Sequence, residues 1–222
     1  MSGVLGPGER TRVRRLPKKA SYDRDVIYEI LDEAWVCHMA ATVDGLAMAL
    51  PTLHVREGDT IYLHGSPSNA VMKAIVRDAE AFVTVTVFDG LRLARSGFES
   101  SIAYRSVAVV GAAREVTDGA EKSRVLDRFV DRVVAGRAGE VRAMSEREER
   151  LTLVVAVSID EASAKVSAGP TDDEPEDQAL AIWAGTVPAR LVFGDPVPDP
   201  YGAMANGQIE VPASVRRLLE SQ

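Results

Sequence analysis

One stretch concentrates residue types able to hold an anion: Tyr62-Leu63-His64-Gly65-Ser66-Pro67-Ser68-Asn69, with Lys73 beyond. The pattern predicts a strand that turns into a helix, with Ser66 as N-cap and Pro67 as first helical residue. The first N–H groups of a helix lack internal partners and the dipole is positive there, which suits a phosphate. Gly65 lets backbone approach a ligand closely. Ser66, Ser68 and Asn69 add polar groups in the first turn. Lys73 lies roughly two turns past Ser66 on the same face, about 10 Å along the axis. Helical side chains lean toward the N-terminus, so its ammonium can approach a bound phosphate. The same residues also describe an ordinary capped helix with a surface lysine. Neither GxxxxGK[ST] nor GxGxxG occurs.

Other residues carry weaker signals. Pro51 interrupts an otherwise good strand, which implies an edge, a bulge or an irregular rim of the kind that borders ligand sites. His38, His54 and His64 show no metal-binding spacing, so no metal site is expected. His38 and His54 read as half-buried strand residues, while His64 ends a strand at the anion corner. Cys37 and His38 are adjacent on a strand and point to opposite faces, a poor catalytic dyad. Arg105, in Tyr104-Arg105-Ser106-Val107, sits in an apolar strand and needs a partner if buried, either an anionic or carbonyl ligand or an acidic side chain. Trp183 could wall a ring-binding cleft or simply fill core. No Ser/His/Asp order or nucleophile elbow is recognisable, and no catalytic residue is assigned.

The elements that must position these residues follow from periodicity. A helix is expected to open at Ser21 or Tyr22, with Val26, Ile27, Ile30, Leu31 and Ala34 on its apolar side. Strands are expected at 35–43, 46–55 and 60–64, the first two joined at Asp44-Gly45, a strong hairpin signal. Further strands are expected at 80–88 and about 101–116, with a loop at 89–100 between them. Asp118 and Glu121 form a capping-box pattern before an amphipathic helix through Val125 to Val134, and Ser145 with Glu148 forms another. A strand from Leu151 to Ile159, extended by Ala164 to Val166, and a last strand from Trp183 to Phe193 complete the set. Between them lies an acidic loop at 170–178. A short helix is expected at Val211 to Leu219. The hairpin succession lacks parallel βαβ alternation and points to an antiparallel barrel with helices over its ends.

Composition bounds the function. The chain has 222 residues, 46% hydrophobic and 27% charged, and one cysteine. This suits a single globular domain and excludes a disulfide framework. No apolar run reaches the roughly 18–20 residues of a spanning helix, so no membrane partner is expected. Residues 1–20 hold six basic residues and one acid, +5 of a total of −7, leaving −12 for the body. An acidic body argues against nucleic acid as partner. The basic arm is expected to be solvated and to pack on acidic surface. No apolar segment follows it as in a secretion signal, and the expected address is the cytoplasm. The expected organisation is an irregular arm at 1–20, a barrel domain at 21–200 and a tail with a short helix at 201–222.

Several segments, in order, resemble the pyridoxamine 5′-phosphate oxidase-like flavin-binding split-barrel superfamily, in particular its flavin-nucleotide-binding branch related to nitroimidazole reductases. They are Arg15-Leu16-Pro17, Leu50-Pro51-Thr52-Leu53, Tyr62 to Ser66, Tyr104 to Val107, Ile159 to Lys165, and Trp183-Ala184-Gly185 followed by Pro196 to Pro200. The resemblance implies a six-stranded antiparallel split barrel and a homodimer with two FMN molecules at its interface. It implies that His64, Gly65 and Ser66, helped by Ser68, Asn69 and Lys73, hold the phosphate. Pro51 and Thr52 would run beside the isoalloxazine ring, Arg105 and Ser106 would face the flavin, and Trp183 would lie near the ring, contributed from either chain. Two departures stand out. Ala70 and Val71 occupy places where many relatives carry a basic residue, and Ser106 stands where pyridoxamine phosphate oxidases would have glutamine. Vitamin B6 is therefore not the expected substrate. The leading expectation is an FMN-dependent oxidoreductase passing electrons, with NAD(P)H as a candidate donor, to a nitroaromatic- or quinone-like acceptor. The alternatives are a non-catalytic flavin-binding or storage protein, and a split barrel that binds deazaflavin F420 or haem instead.

Overall fold

The computed structural model describes Leu5 and residues 8–200 and 209–221. Among these residues, nine strands and five α-helices follow in chain order: β1 (Ala20–Ser21), α1 (Arg24–Glu33), β2 (Val36–Val43), β3 (Leu46–Glu57), β4 (Thr60–Gly65), α2 (Ala70–Asp78), β5 (Glu80–Leu93), β6 (Ser101–Glu115), α3 (Gly119–Val133), α4 (Glu146–Arg150), β7 (Leu153–Ser158), β8 (Glu161–Ser167), β9 (Gly185–Pro188) and α5 (Ala213–Glu220). All strand pairs are antiparallel. Six of them, β6-β7-β4-β3-β2-β5, close into a ring because β6 pairs with both β5 and β7. This is the expected split barrel.

The alternation of side chains along each strand gives the ring an inside and an outside. Cys37, Met39, Ile61, Leu63, Val83, Val85, Val107 and Val109 are buried together inside, closed by Ile27, Ile30 and Leu31 of α1 and by Val71, Met72 and Ile75 of α2. Burial pushes the Cys37 thiol up to about 12, so it acts as a core side chain rather than a nucleophile. A second cluster lies outside, where α3 sets Val125, Leu126 and Phe129 on Val55, Tyr62, Val116, Val154 and Ala156.

Turn and cap chemistry explains most boundaries. Asp44 and Gly45 both take positive φ (49° and 80°), the conformation a tight two-residue hairpin requires. The capping box at α4 is complete. At α3 it is half made: Asp118 accepts from the Glu121 N–H, while the Glu121 carboxylate goes to Arg114 and Tyr62.

Five boundaries correct the sequence expectation. Helix α1 is capped by Asp23, which accepts from the Asp25 and Val26 N–H groups, because Ser21 is already paired in β1. Helix α2 begins at Ala70 rather than Pro67, because Asn69 and not Ser66 caps it. Strand β5 runs to Leu93, held there by β9, so the following loop is short. The segment after Ile159 is a separate strand, β8, that turns onto β6 beside β5's partner stretch instead of continuing β7. The last strand is only Gly185–Pro188; Trp183 precedes it and Phe193 leaves it to pack edge-on against Trp35, ring centroids 5.8 Å apart.

The arm is pinned by its charges, as its composition suggests. Arg10 reaches Glu80 and Glu161, and Lys19 reaches Asp172. It also contains a short 3-10 turn at Pro17–Lys19 that leads into β1. The tail is helical at Ala213–Glu220; residues 201–208 lie outside the described residues.

Candidate functional site

Paired residues on neighbouring antiparallel strands share a face. The register therefore lays two rows across the outside of the sheet away from α3. One row is Pro51, His38, Thr84, Ala108 and Ser163. The other is Ala49, Ala40, Phe82, Val110 and Glu161. Thr86, Ser106 and Lys165 follow on the same face. Phe82 and Phe88 are exposed on it, 40% and 51%. A face with exposed aromatic rings and small residues between them is flat enough for a planar ring or for a second chain.

Pro51 and Ser106 lie on this outer face. Thr52 pairs with buried Cys37 and Arg105 alternates with Ser106, so both point to the other side. The Arg105 guanidinium is spent there. It bonds Asp89 at 2.7 and 3.0 Å and Glu33 at 2.5 and 2.7 Å, joining β6 to β5 and to the end of α1. The two carboxylates, Asp89 first, raise its pKa. Of the two partners the sequence allowed, an acidic side chain is the one present.

The strand-to-helix corner is built differently from a bare helix terminus. Asn69 Oδ1 accepts from the Val71 and Met72 N–H groups at 3.0 and 3.1 Å. The Ser66 carbonyl accepts from Asn69 N–H, and Ser66 Oγ accepts from Ser68 N–H. The first-turn donors are thus largely satisfied internally. What the corner offers an anion is side chains: the Ser66 and Ser68 hydroxyls, 2.7 Å apart and exposed, and exposed Lys73, one turn past the cap. Gly65 has a packing reason of its own, since a Cβ there would come within 2.8 Å of Met72 Sδ.

His64, at the head of this corner, pairs with Val154 and packs its ring on Phe129, centroids 4.1 Å apart. Its Nδ1 is buried without a partner. Burial lowers its pKa and keeps the imidazole neutral. Trp183 is 66% exposed beside Gly185 at the start of β9 and does not join the corner within this chain.

A second feature escaped the sequence reading. A cleft of about 530 Å³ opens between α1, β3, the end of α3 and α5. His54 lines it and is 1% exposed rather than half-buried. Its Nε2 lies 2.8 Å from the Leu31 carbonyl, and its Nδ1 has no partner. Arg132 stacks on Trp35, 5.1 Å from the ring centroid, and donates to the Ala34 carbonyl at 2.7 Å. The available signal was Arg128 and Arg132, one turn apart on α3, beside the apolar stripe.

Residues 23–166 match the model of the family described as pyridoxamine 5′-phosphate oxidase. The chain belongs to that family. The flavocytochrome Anf3 from Azotobacter vinelandii is 34% identical, over 96% of this chain and 97% of its own, with a TM-score of 0.88. A FAD and heme binding protein from Mycobacterium smegmatis is 36% identical, over 90% of this chain and 96% of its own, with a TM-score of 0.83. A candidate 5-nitroimidazole antibiotic resistance protein from Bacteroides thetaiotaomicron shares the fold at 23% identity, over 66% of this chain and 86% of its own, with a TM-score of 0.57. A search of curated proteins returned no match. Among the described residues no helix is long and apolar enough to cross a membrane, and no cluster of potential metal ligands occurs.

Proposed function

We propose that this family member is a flavin-binding redox protein of the flavocytochrome kind, carrying FAD and a haem and passing electrons to a small acceptor. The observation that carries the reading is the extent of the likeness. The nitroimidazole-type structure covers about two thirds of the chain, whereas the flavocytochrome and the FAD and heme binding protein cover 96% and 90% of it. FAD replaces FMN in this reading, and haem joins the flavin instead of substituting for it.

The residues present fit both groups. The Ser66 and Ser68 hydroxyls and Lys73 would hold flavin phosphate, and the outer face with Pro51 and Ser106 would lie along the ring. A second copy of the chain would cover that face, with Trp183 brought from the partner. His54 and His64 each keep a neutral ring with an unpartnered buried Nδ1, the state a histidine needs to ligate iron. His64 has neither ring nitrogen committed to a protein partner among the described residues, whereas His54 has Nε2 engaged by Leu31. Bound flavin and haem supply the electron chemistry; the chain positions them and sets their surroundings. NAD(P)H is the proposed electron donor.

The test is the visible spectrum of the protein purified without added cofactor, with extracted ligands identified by mass spectrometry. Flavin bands, a Soret band and released FAD support the proposal. A colourless protein that takes up neither FAD nor haemin overturns it, and flavin release with no haem uptake removes its haem half.

A further inference from the structure

We propose that the cleft between α1, α3 and α5 is a second ligand site, taking a flat conjugated ring that carries a carboxylate. The site does not depend on the flavin assignment: it is built by different elements from the outer face and the Ser66 corner.

Charge balance supplies the first argument. Three arginines border the cleft, and their carboxylates are unevenly shared. Arg56 is paired with Asp32 at 2.5 and 2.9 Å. Arg128 shares Glu57 with Arg124. Arg132 makes no ion pair among the described residues: it bonds the Ala34 carbonyl and lies over the Trp35 ring, while Asp32, already paired with Arg56, acts on it only from a distance. A half-buried cation with no anion bonded to it directly is costly, and a bound carboxylate reduces that cost. The planar fork of a guanidinium matches a carboxylate with two parallel bonds.

Shape supplies the second argument. Trp35 carries Arg132 on its ring and meets Phe193 edge-on, so its orientation is fixed from two sides. Leu31, Val134 and Leu218 add apolar wall. A volume of about 530 Å³ is within the usual range for small-molecule and cofactor sites. The third argument is independent of both. His54 is almost wholly buried in the wall, with Nε2–H given to Leu31 and Nδ1 left as an acceptor or metal ligand without a partner. Unmatched buried polar atoms are uncommon in native proteins, and one that lines an open cleft calls for a water, an ion or another ligand to satisfy it.

A porphyrin carboxylate and a small aromatic carboxylate share this chemistry, and the experiment separates them. The chain has two tryptophans, so two indole N–H signals report the protein in solution. The full-length protein, expressed without added haem, is titrated with 2-naphthoate and separately with haemin. The Trp35 signal is expected to shift with at least one of them. Arg132→Gln is expected to weaken that ligand about tenfold or more, the usual worth of a charge-assisted pair. If both ligands shift the signal and compete, the cleft is a porphyrin-sized site. If naphthoate alone does so, the site serves a small acid and any haem binds elsewhere. The proposal is overturned if neither ligand shifts the Trp35 signal, or if affinity is the same in Arg132→Gln. Should Arg132→Gln fail to fold, Arg132→Lys keeps the charge but loses the fork, and equal affinity in that variant also overturns it. Flavin content, read by extraction from the same samples, reports the outer face independently.

Discussion

The His64 ring leans on Phe129 with centroids 4.1 Å apart and planes 54° from parallel, tying the end of β4 to α3. The same contact removes water from Nδ1 and holds the ring neutral. A corner that would meet a phosphate thus carries an uncharged histidine, and the positive charge there comes from Lys73.

That neutrality gives a pH signature. His54 and His64 both have lowered folded-state pKa values, chiefly from burial. Above the usual histidine value of about 6.5 their contribution is fully present. As pH falls below it the unfolded chain binds protons that the folded chain refuses, so stability is lost down to the folded pKa. Melting temperature is expected to fall between about pH 7 and 5, with a shallower fall in His64→Gln. Equal slopes in the two proteins would show that His64 is not held neutral. The lowered pKa values of Glu121, Glu148 and Asp173 act only below the carboxylate range and leave this window clear.

The two roles at the corner separate by mutation. Asn69→Ala removes the acceptor of two backbone N–H groups and is expected to cost about 1 kcal/mol of stability. Ser66→Ala leaves that cap intact and is expected to change melting little while weakening flavin uptake. Denaturant unfolding and flavin titration of both variants check this, and equal flavin affinity in Ser66→Ala and the parent would remove Ser66 from the phosphate site.

Arg105 distinguishes architecture from ligand binding. Replacing it by methionine leaves Glu33 and Asp89 facing one another, and a loss of about 1–3 kcal/mol is expected from broken charge-assisted bonds. If Arg105 instead served the flavin directly, the variant would lose flavin affinity with little change in its unfolding midpoint.

The bare outer face predicts self-association. Phe82→Glu sets a carboxylate among Ala40, Val110 and Glu161 on that face without touching the barrel interior. Light scattering is expected to show a dimer for the parent and a monomer for the variant, with flavin lost alongside. A parent that is monomeric at every concentration and still binds flavin would rule out a shared interface.

Much of this was legible in the sequence because period and punctuation agreed. Asp44-Gly45, Asp118 and Ser145 announced their turn and caps, and the alternating valines of β5 and β6 announced the barrel wall. Less legible were features set by competition between neighbours. Ser66 and Asn69 are both good caps, and only the Ser66–Asn69 turn decides that Asn69 wins. Arg105 could answer either a ligand or an acid, and the acids come from residues 16 and 72 positions away. His54 resembled any strand histidine until α1 placed the Leu31 carbonyl on it. The cleft joins segments from α1 to α5, so no local window contains it.

The ring closes over a short seam. Strand β6 pairs in register with β7 at three positions, Ala113, Arg114 and Glu115, flanked by the Val116 N–H on the Val154 carbonyl and by Gly111, where a Cβ would fall 1.6 Å from the Ser158 carbonyl oxygen. The next shortest joints of the ring, β2–β5 and β3–β4, hold four pairs each. The β6–β7 seam is the shortest, which makes it the barrel's latch. In hydrogen exchange, the amides of 113–115 and 155–157 would report the opening of the whole cylinder, while those of the long β5–β6 hairpin would outlast it.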